Sequence, residues 1–181
     1  MATPQVPALP DGHIPVEQRI DFDHAALTEL RDRTSVEGLV KRFILGIDFR
    51  DWNTFRSCFA DTVEVKLDPR TAPSPPGPVP ADAWVKIARA SFEPYDSTHH
   101  LVSVYAIRID GDEAEALSYF QASHYSGNPD GAPTFVQKGT YVHRFQRTEA
   151  GWRISGWVQD VRWGEGNRAV LDRAMDQMPD L

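Results

Sequence analysis

A chain of 181 residues suits one well-filled domain and is short for two. It carries 19 Lys and Arg against 26 Asp and Glu, a net charge of −7, and no basic run breaks that balance. Nucleic acid and anionic membrane surfaces are therefore poor partners, and a small, weakly charged molecule is the expected ligand. A hydrophobic share of 41% with 25% charged residues excludes disordered and membrane-spanning classes. The single cysteine, Cys58, cannot form an internal disulfide, which fits a reducing compartment. Residues 1–20 hold Pro4, Pro7, Pro10 and Pro15 but no basic start followed by an apolar run. They read as a flexible arm rather than a signal peptide, and the cytoplasm is the expected location.

The single domain is expected over residues 21–181. A short helix through Ala25, Leu27 and Leu30 is expected to stop at the polar cluster Arg31 to Ser35, with Ser35 capping the next. From Val36, the residues Leu39, Val40, Phe43, Ile44 and Ile47 recur at three-to-four spacing, the mark of one buried helical stripe. A third helix over about Trp52 to Phe59 precedes the strand-like alternation of Val63, Val65 and Leu67. Six prolines between Asp68 and Pro80 require a loop. Ala81 to Phe92 resumes a helical pattern.

Beyond Pro94 come four long β runs, Thr98 to Ile109, Glu113 to Tyr125, Phe135 to Arg147 and Trp152 to Trp163, joined by short turns. Short connections imply antiparallel hairpins. Helices first and a meander after is an α+β order, since a doubly wound fold would interleave them. A last amphipathic helix, Asn167 to Gln177, follows the Gly164 joint and is a candidate lid.

Asp48 lies four residues after Ile44, on or beside the buried stripe. It reads equally as a solvated helix-end acid near Arg50 or as a buried carboxylate that needs a partner. Among the six histidines, His99 and His100 open the first long strand, and alternation sends at most one of them inward. His124 and His143 lie on later strands. No spacing among histidines and acids matches a zinc pattern, so no metal is expected. Cys58 reads as a small core residue. The absence of a phosphate loop or serine elbow argues against nucleotide and triad chemistry.

The segments Ile47-Asp48-Phe49-Arg50-Asp51-Trp52, Thr98-His99-His100-Leu101, Lys138-Gly139-Thr140-Tyr141 and Asp160-Val161-Arg162-Trp163-Gly164-Glu165 carry a resemblance. Over roughly Ser35 to Asp176 the chain resembles the SnoaL-like part of the NTF2-like superfamily, scytalone dehydratase and its bacterial relatives above all. The resemblance implies an NTF2-like cone, a curved and mainly antiparallel sheet wrapped around N-terminal helices that enclose a pocket. It also implies that Asp48 orients His100 as a general base, in a cofactor-independent lyase or isomerase, dehydratase- or cyclase-like. The substrate would be a small hydrophobic carbonyl or polyketide-like compound. Tyr119, Tyr141, Trp157 and Trp163 are the expected substrate-binding aromatics, and a homodimer or homotrimer is the expected assembly.

Departures accompany the likeness. Two tyrosines of the dehydratase fall at Ile47 and Leu67, and its second histidine at Ser118, so the substrate and the way its oxygen is polarised must differ. The alternatives are a noncatalytic binding or assembly module and the small subunit of a ring-hydroxylating oxygenase.

Overall fold

The apolar stripe from Val36 to Ile47 lies on a helix longer than its pattern announces. The computed structural model describes the backbone of residues 16–127 and 130–176, with side chains from residue 24 onward in those ranges. Helix α1 (Val16–Asp48) runs unbroken through Arg31 to Ser35, where the sequence predicts a stop. That cluster interrupts the hydrophobic period but contains neither Gly nor Pro, so nothing in it costs the backbone its helical hydrogen bonds. Of the proline-rich stretch expected as an arm, residues 1–15 lie outside the described residues and 16–20 are helical. The chain divides into two compact units, residues 1–32 and 33–181.

After α1 come α2 (Trp52–Ser57), β1 (Phe59–Lys66), the short β2 (Val79–Pro80) and α3 (Ala81–Phe92). Asp51 caps α2 by accepting from the Thr54 amide. Gly46 lets α1 and α2 meet closely, because a Cβ there would lie 2.8 Å from that of Phe55. The meander follows as β3 (Ser97–Asp110), β4 (Glu113–Tyr125), β5 (Thr134–Thr148) and β6 (Gly151–Gly166), and α4 (Ala169–Met175) ends the described chain. Gln177, the expected end of that helix, lies outside the described residues.

The six strands form one sheet in the order β2-β1-β6-β5-β4-β3. Strands β3 to β6 pair antiparallel with their neighbours, and β1 joins β6 in parallel. Bulges at Tyr105 on β3 and at Ser155 and Arg162 on β6 interrupt the ladders and bend the long strands. The concave face is read directly from burial. On β4 it carries Ala114, Ala116, Ser118, Phe120, Ala122 and His124; on β5 it carries Phe135, Gln137, Tyr141, His143 and Phe145. Small residues dominate the β4 row, which leaves room for Phe43 of α1 to reach the rings of His143 and Trp157, at 5.1 Å from each. No helix among the described residues is long and apolar enough to cross a membrane.

Two features make the fold testable. A Cβ at Gly139, which faces the Arg162 bulge, would lie 2.0 Å from the Asp160 carbonyl oxygen. Gly139→Ala is expected to cost about 1–3 kcal/mol in urea unfolding. His143 is wholly buried among aromatic rings with neither ring nitrogen hydrogen-bonded, and burial pushes its pKa down from 6.5 to about 3. Between those values the unfolded chain binds a proton that the core refuses, so stability falls as pH falls through that window. His143→Leu should remove about 1.4 kcal/mol per pH unit from that slope, read by denaturation at pH 6 and pH 4.

Candidate active site

Asp48 is the last residue of α1, and its carboxylate meets the start of β3. Its Oδ2 accepts the His100 backbone amide at 2.8 Å, and its Oδ1 accepts the Thr98 hydroxyl at 2.9 Å. Oδ1 also lies 2.6 Å from His100 Nδ1. The two side chains are 12% and 3% exposed, Asp48 and His100 in that order, so the pair is shielded from bulk water. Burial by itself would raise the Asp48 carboxyl. The hydrogen bond and charge of the His100 ring, the His100 amide and the Thr98 hydroxyl outweigh it and hold the carboxyl below its usual range. His99 faces outward, as strand alternation requires.

Arg50 organises this corner. It sits at φ 56°, the left-handed position beyond the helix end where glycine is usual. Its guanidinium compensates with three hydrogen bonds: to the Ile47 carbonyl at 2.6 Å, to Thr98 Oγ1 at 2.9 Å and to the Phe92 carbonyl at 2.9 Å. It thereby joins the ends of α1 and α3 to the first turn of β3. Because Arg50 donates to the Thr98 oxygen, the Thr98 proton is left for Asp48. The sequence signal was the Asp48-x-Arg50 spacing at a helix end, legible only once β3 is known to lie beside it.

His100 lines a cavity of about 80 Å³ between the sheet, α3 and α4. Its walls are mostly apolar, including Trp84, Phe92, Trp157 and Leu171. Tyr141 and Trp157 stand in this wall. The Tyr141 phenol is paired with Gln159, whose Oε1 accepts the Thr71 hydroxyl at 2.8 Å. Tyr119 and Trp163 do not reach the cavity. Tyr119 belongs to the outward set of β4 and is 55% exposed. Trp163 would follow Trp157, Gln159 and Val161 inward, but the extra residue Arg162 shifts the alternation and pairs Trp163 with outward Lys138. It is 54% exposed.

The second imidazole of the cavity is not at Ser118, which is buried deeper in the sheet, but at His124 on the same inward row of β4. Its ring lies 6.0 Å from that of His100, and burial, then the neighbouring His100, pushes its pKa down to about 3. Larger hollows of about 280 and 690 Å³ lie elsewhere, rimmed by charged residues such as Glu64 and Arg153, and neither touches the Asp48–His100 pair. Among the described residues no three His, Cys, Asp or Glu side chains converge as a metal ligand set would require.

The Asp48 contribution to stability is present above the unfolded value, 3.8, and lost as pH falls below it. Arg50→Met is expected to cost roughly 2–4 kcal/mol at pH 7, from the loss of charged hydrogen bonds at a strained backbone position. Arg50→Lys should recover less than half, since one ammonium cannot match the planar fork. Urea unfolding of the three proteins measures both.

The fold is similar to that of several solved structures. The Kfla4162 protein of Kribbella flavida superposes with a TM-score of 0.74 at 24% identity, over 80% of this chain and 99% of that one. A hexachlorocyclohexane dehydrochlorinase (LinA, type 2) gives 0.67 at 14% identity, over 78% and 93%. A Novosphingobium aromaticivorans protein bearing the name of scytalone dehydratase gives 0.64 at 19%, over 80% and 91%. At such identities the likeness is one of fold, a helix-filled cone with a curved, unclosed sheet. No curated protein matches the sequence. The SnoaL-like domain family matches residues 28–158, most of the chain, and the protein belongs to that family.

Proposed function

We propose that the protein is a cofactor-independent lyase or isomerase in which His100 is the general base and Asp48 its orienting carboxylate. The observation that carries this reading is the 2.6 Å contact between Asp48 Oδ1 and His100 Nδ1 at the wall of a mostly apolar cavity. With Nδ1 so held, the proton of the neutral ring belongs on Nδ1, and Nε2 keeps its lone pair. Among the described residues the one protein partner of the ring is Asp48 at Nδ1, and His100 lines the cavity, so Nε2 is free to act on a ligand. A noncatalytic binding module would have no need of this pairing.

The substrate is a small, uncharged, hydrophobic carbonyl compound. The C–H bond next to the carbonyl breaks, its proton passes to Nε2, and its electron pair moves into an enolate. That pair then expels a group from the adjacent carbon, which takes the proton back from the imidazolium, or it is reprotonated at another carbon. The first outcome is elimination and the second isomerisation. Asp48 stabilises the imidazolium in both. Two of the structural neighbours carry the names of eliminating enzymes, a dehydrochlorinase and a dehydratase, which supports the first.

Exchange of the α-protons of cyclopentanone in D2O, followed by proton NMR, tests the base without knowledge of the natural substrate. The wild type should accelerate exchange over buffer, and His100→Ala and Asp48→Asn should each lower the protein-dependent rate by about a hundredfold or more. A His100→Ala protein that exchanges as fast as the wild type contradicts this assignment.

A further inference from the structure

The sheet register places a third polar side chain on the rung of the base. His100 pairs with Ala122 across β3 and β4, and Ala122 pairs with Gln137 across β4 and β5. Residues on one rung project to one face, and all three are buried on the concave side. Ala122 is the small member, so the rung is a floor one methyl deep with His100 rising at one end and Gln137 at the other. Two strand spacings put the backbones of His100 and Gln137 roughly 10 Å apart. That span accommodates one small ring between the two side chains.

Gln137 is 4% exposed, yet among the described residues its carboxamide makes no hydrogen bond. Elsewhere in this wall Gln159 bonds Thr71 and Tyr141, Ser91 the Ile87 carbonyl, and His100 Nδ1 Asp48; the Trp84 and Trp157 indole N–H groups and His124 Nδ1 also lack partners, but none of these residues shares the rung of His100. The Gln137 amide is not among the fully buried atoms that lack a partner, so it borders the open space of the cavity and is left to bond whatever occupies it. Gln137 lines the same cavity as His100, so that group enters through the cavity. The cavity wall contains no Lys, Arg, Asp or Glu, which disfavours a charged ligand.

We propose that Gln137 is a catalytic residue that holds the reacting oxygen: its carboxamide N–H donates to the carbonyl of a compact, uncharged ketone lying across Ala122 with its acidic C–H toward His100. This deepens the general-base reading and rests on it for the direction in which the ligand lies. As the C–H bond breaks and the proton moves to Nε2, the carbonyl π pair moves onto the oxygen. The Gln137 N–H then meets an enolate oxygen, to which its hydrogen bond is stronger than to the ketone. The two tyrosine places that hold Ile47 and Leu67 leave this task open, and Gln137 lines the same cavity as both.

A matched pair of probes tests the assignment: cyclopentanone, and methylenecyclopentane, in which the oxygen is replaced by a CH2 group. Affinities are measured by NMR titration of wild type, Gln137→Leu and His100→Ala. Gln137→Leu should lower the ratio of ketone to hydrocarbon affinity about tenfold while the hydrocarbon affinity holds. The infrared carbonyl stretch of bound cyclopentanone should lie lower in the wild type than in Gln137→Leu. An unchanged ratio, an unmoved stretch or no ketone binding to the wild type overturns the proposal. Should Gln137→Leu fail to fold, the wild type suffices: the Gln137 side-chain NH2 resonances must shift with the ketone and not with the hydrocarbon, and resonances that stay in place overturn it. The His100→Ala arm keeps the two readings separate. A ratio retained there, with α-proton exchange lost, supports both; oxygen recognition in a wild type that catalyses no exchange sinks the base and leaves Gln137 as a binding residue.

Discussion

A carboxylate removed from water must find compensation, and at the end of α1 the compensation for Asp48 is the first turn of β3. Three donors converge on it, the Thr98 hydroxyl, the His100 amide and the His100 ring. A fourth group, Arg50, fixes the geometry from outside by bonding the Thr98 oxygen and the Ile47 carbonyl. The helix end, the strand start and the imidazole are thus a single construction. Loss of any donor leaves a buried charge short of a partner, which costs more than the bond itself contributes. This explains why a residue as demanding as Arg occupies a left-handed backbone position.

The remainder of the concave face has the opposite character. His124 and His143 are buried without charged partners and are driven toward the neutral form, while the Trp84 and Trp157 indole N–H groups find no acceptor. Such surroundings weaken competition from water and strengthen each electrostatic contact the cavity does make. A polar corner at His100 set in a dry wall is therefore suited to moving one proton on a neutral molecule and poorly suited to holding an anion.

Much of this was legible in the sequence, and the failures have definite causes. The stripe from Val36 to Ile47 and the four β runs announced the α+β order, because periods of 3.6 and 2 survive in the amino-acid pattern. Asp48 and His100 were candidates on chemistry and became a pair only through the family resemblance, since a separation of 52 positions in the chain says nothing about distance in space. The polar cluster Arg31 to Ser35 suggests a stop that the helix does not make, because polar composition alone, without Gly or Pro, does not terminate a helix. Trp163 was misplaced by a single inserted residue, Arg162, which inverts every side chain after it. Gln137 passed unnoticed: an exposed glutamine and a buried one look alike until register shows which rung it occupies.

The central claim is that Asp48 fixes which nitrogen of His100 faces the ligand. Its most direct measurement is the pair of 15N chemical shifts of the His100 ring, recorded with the imidazole in its neutral form. The account predicts a protonated, pyrrole-type Nδ1 and a bare, pyridine-type Nε2. A neutral ring carrying its proton on Nε2 instead would leave no base toward the cavity and would contradict the account.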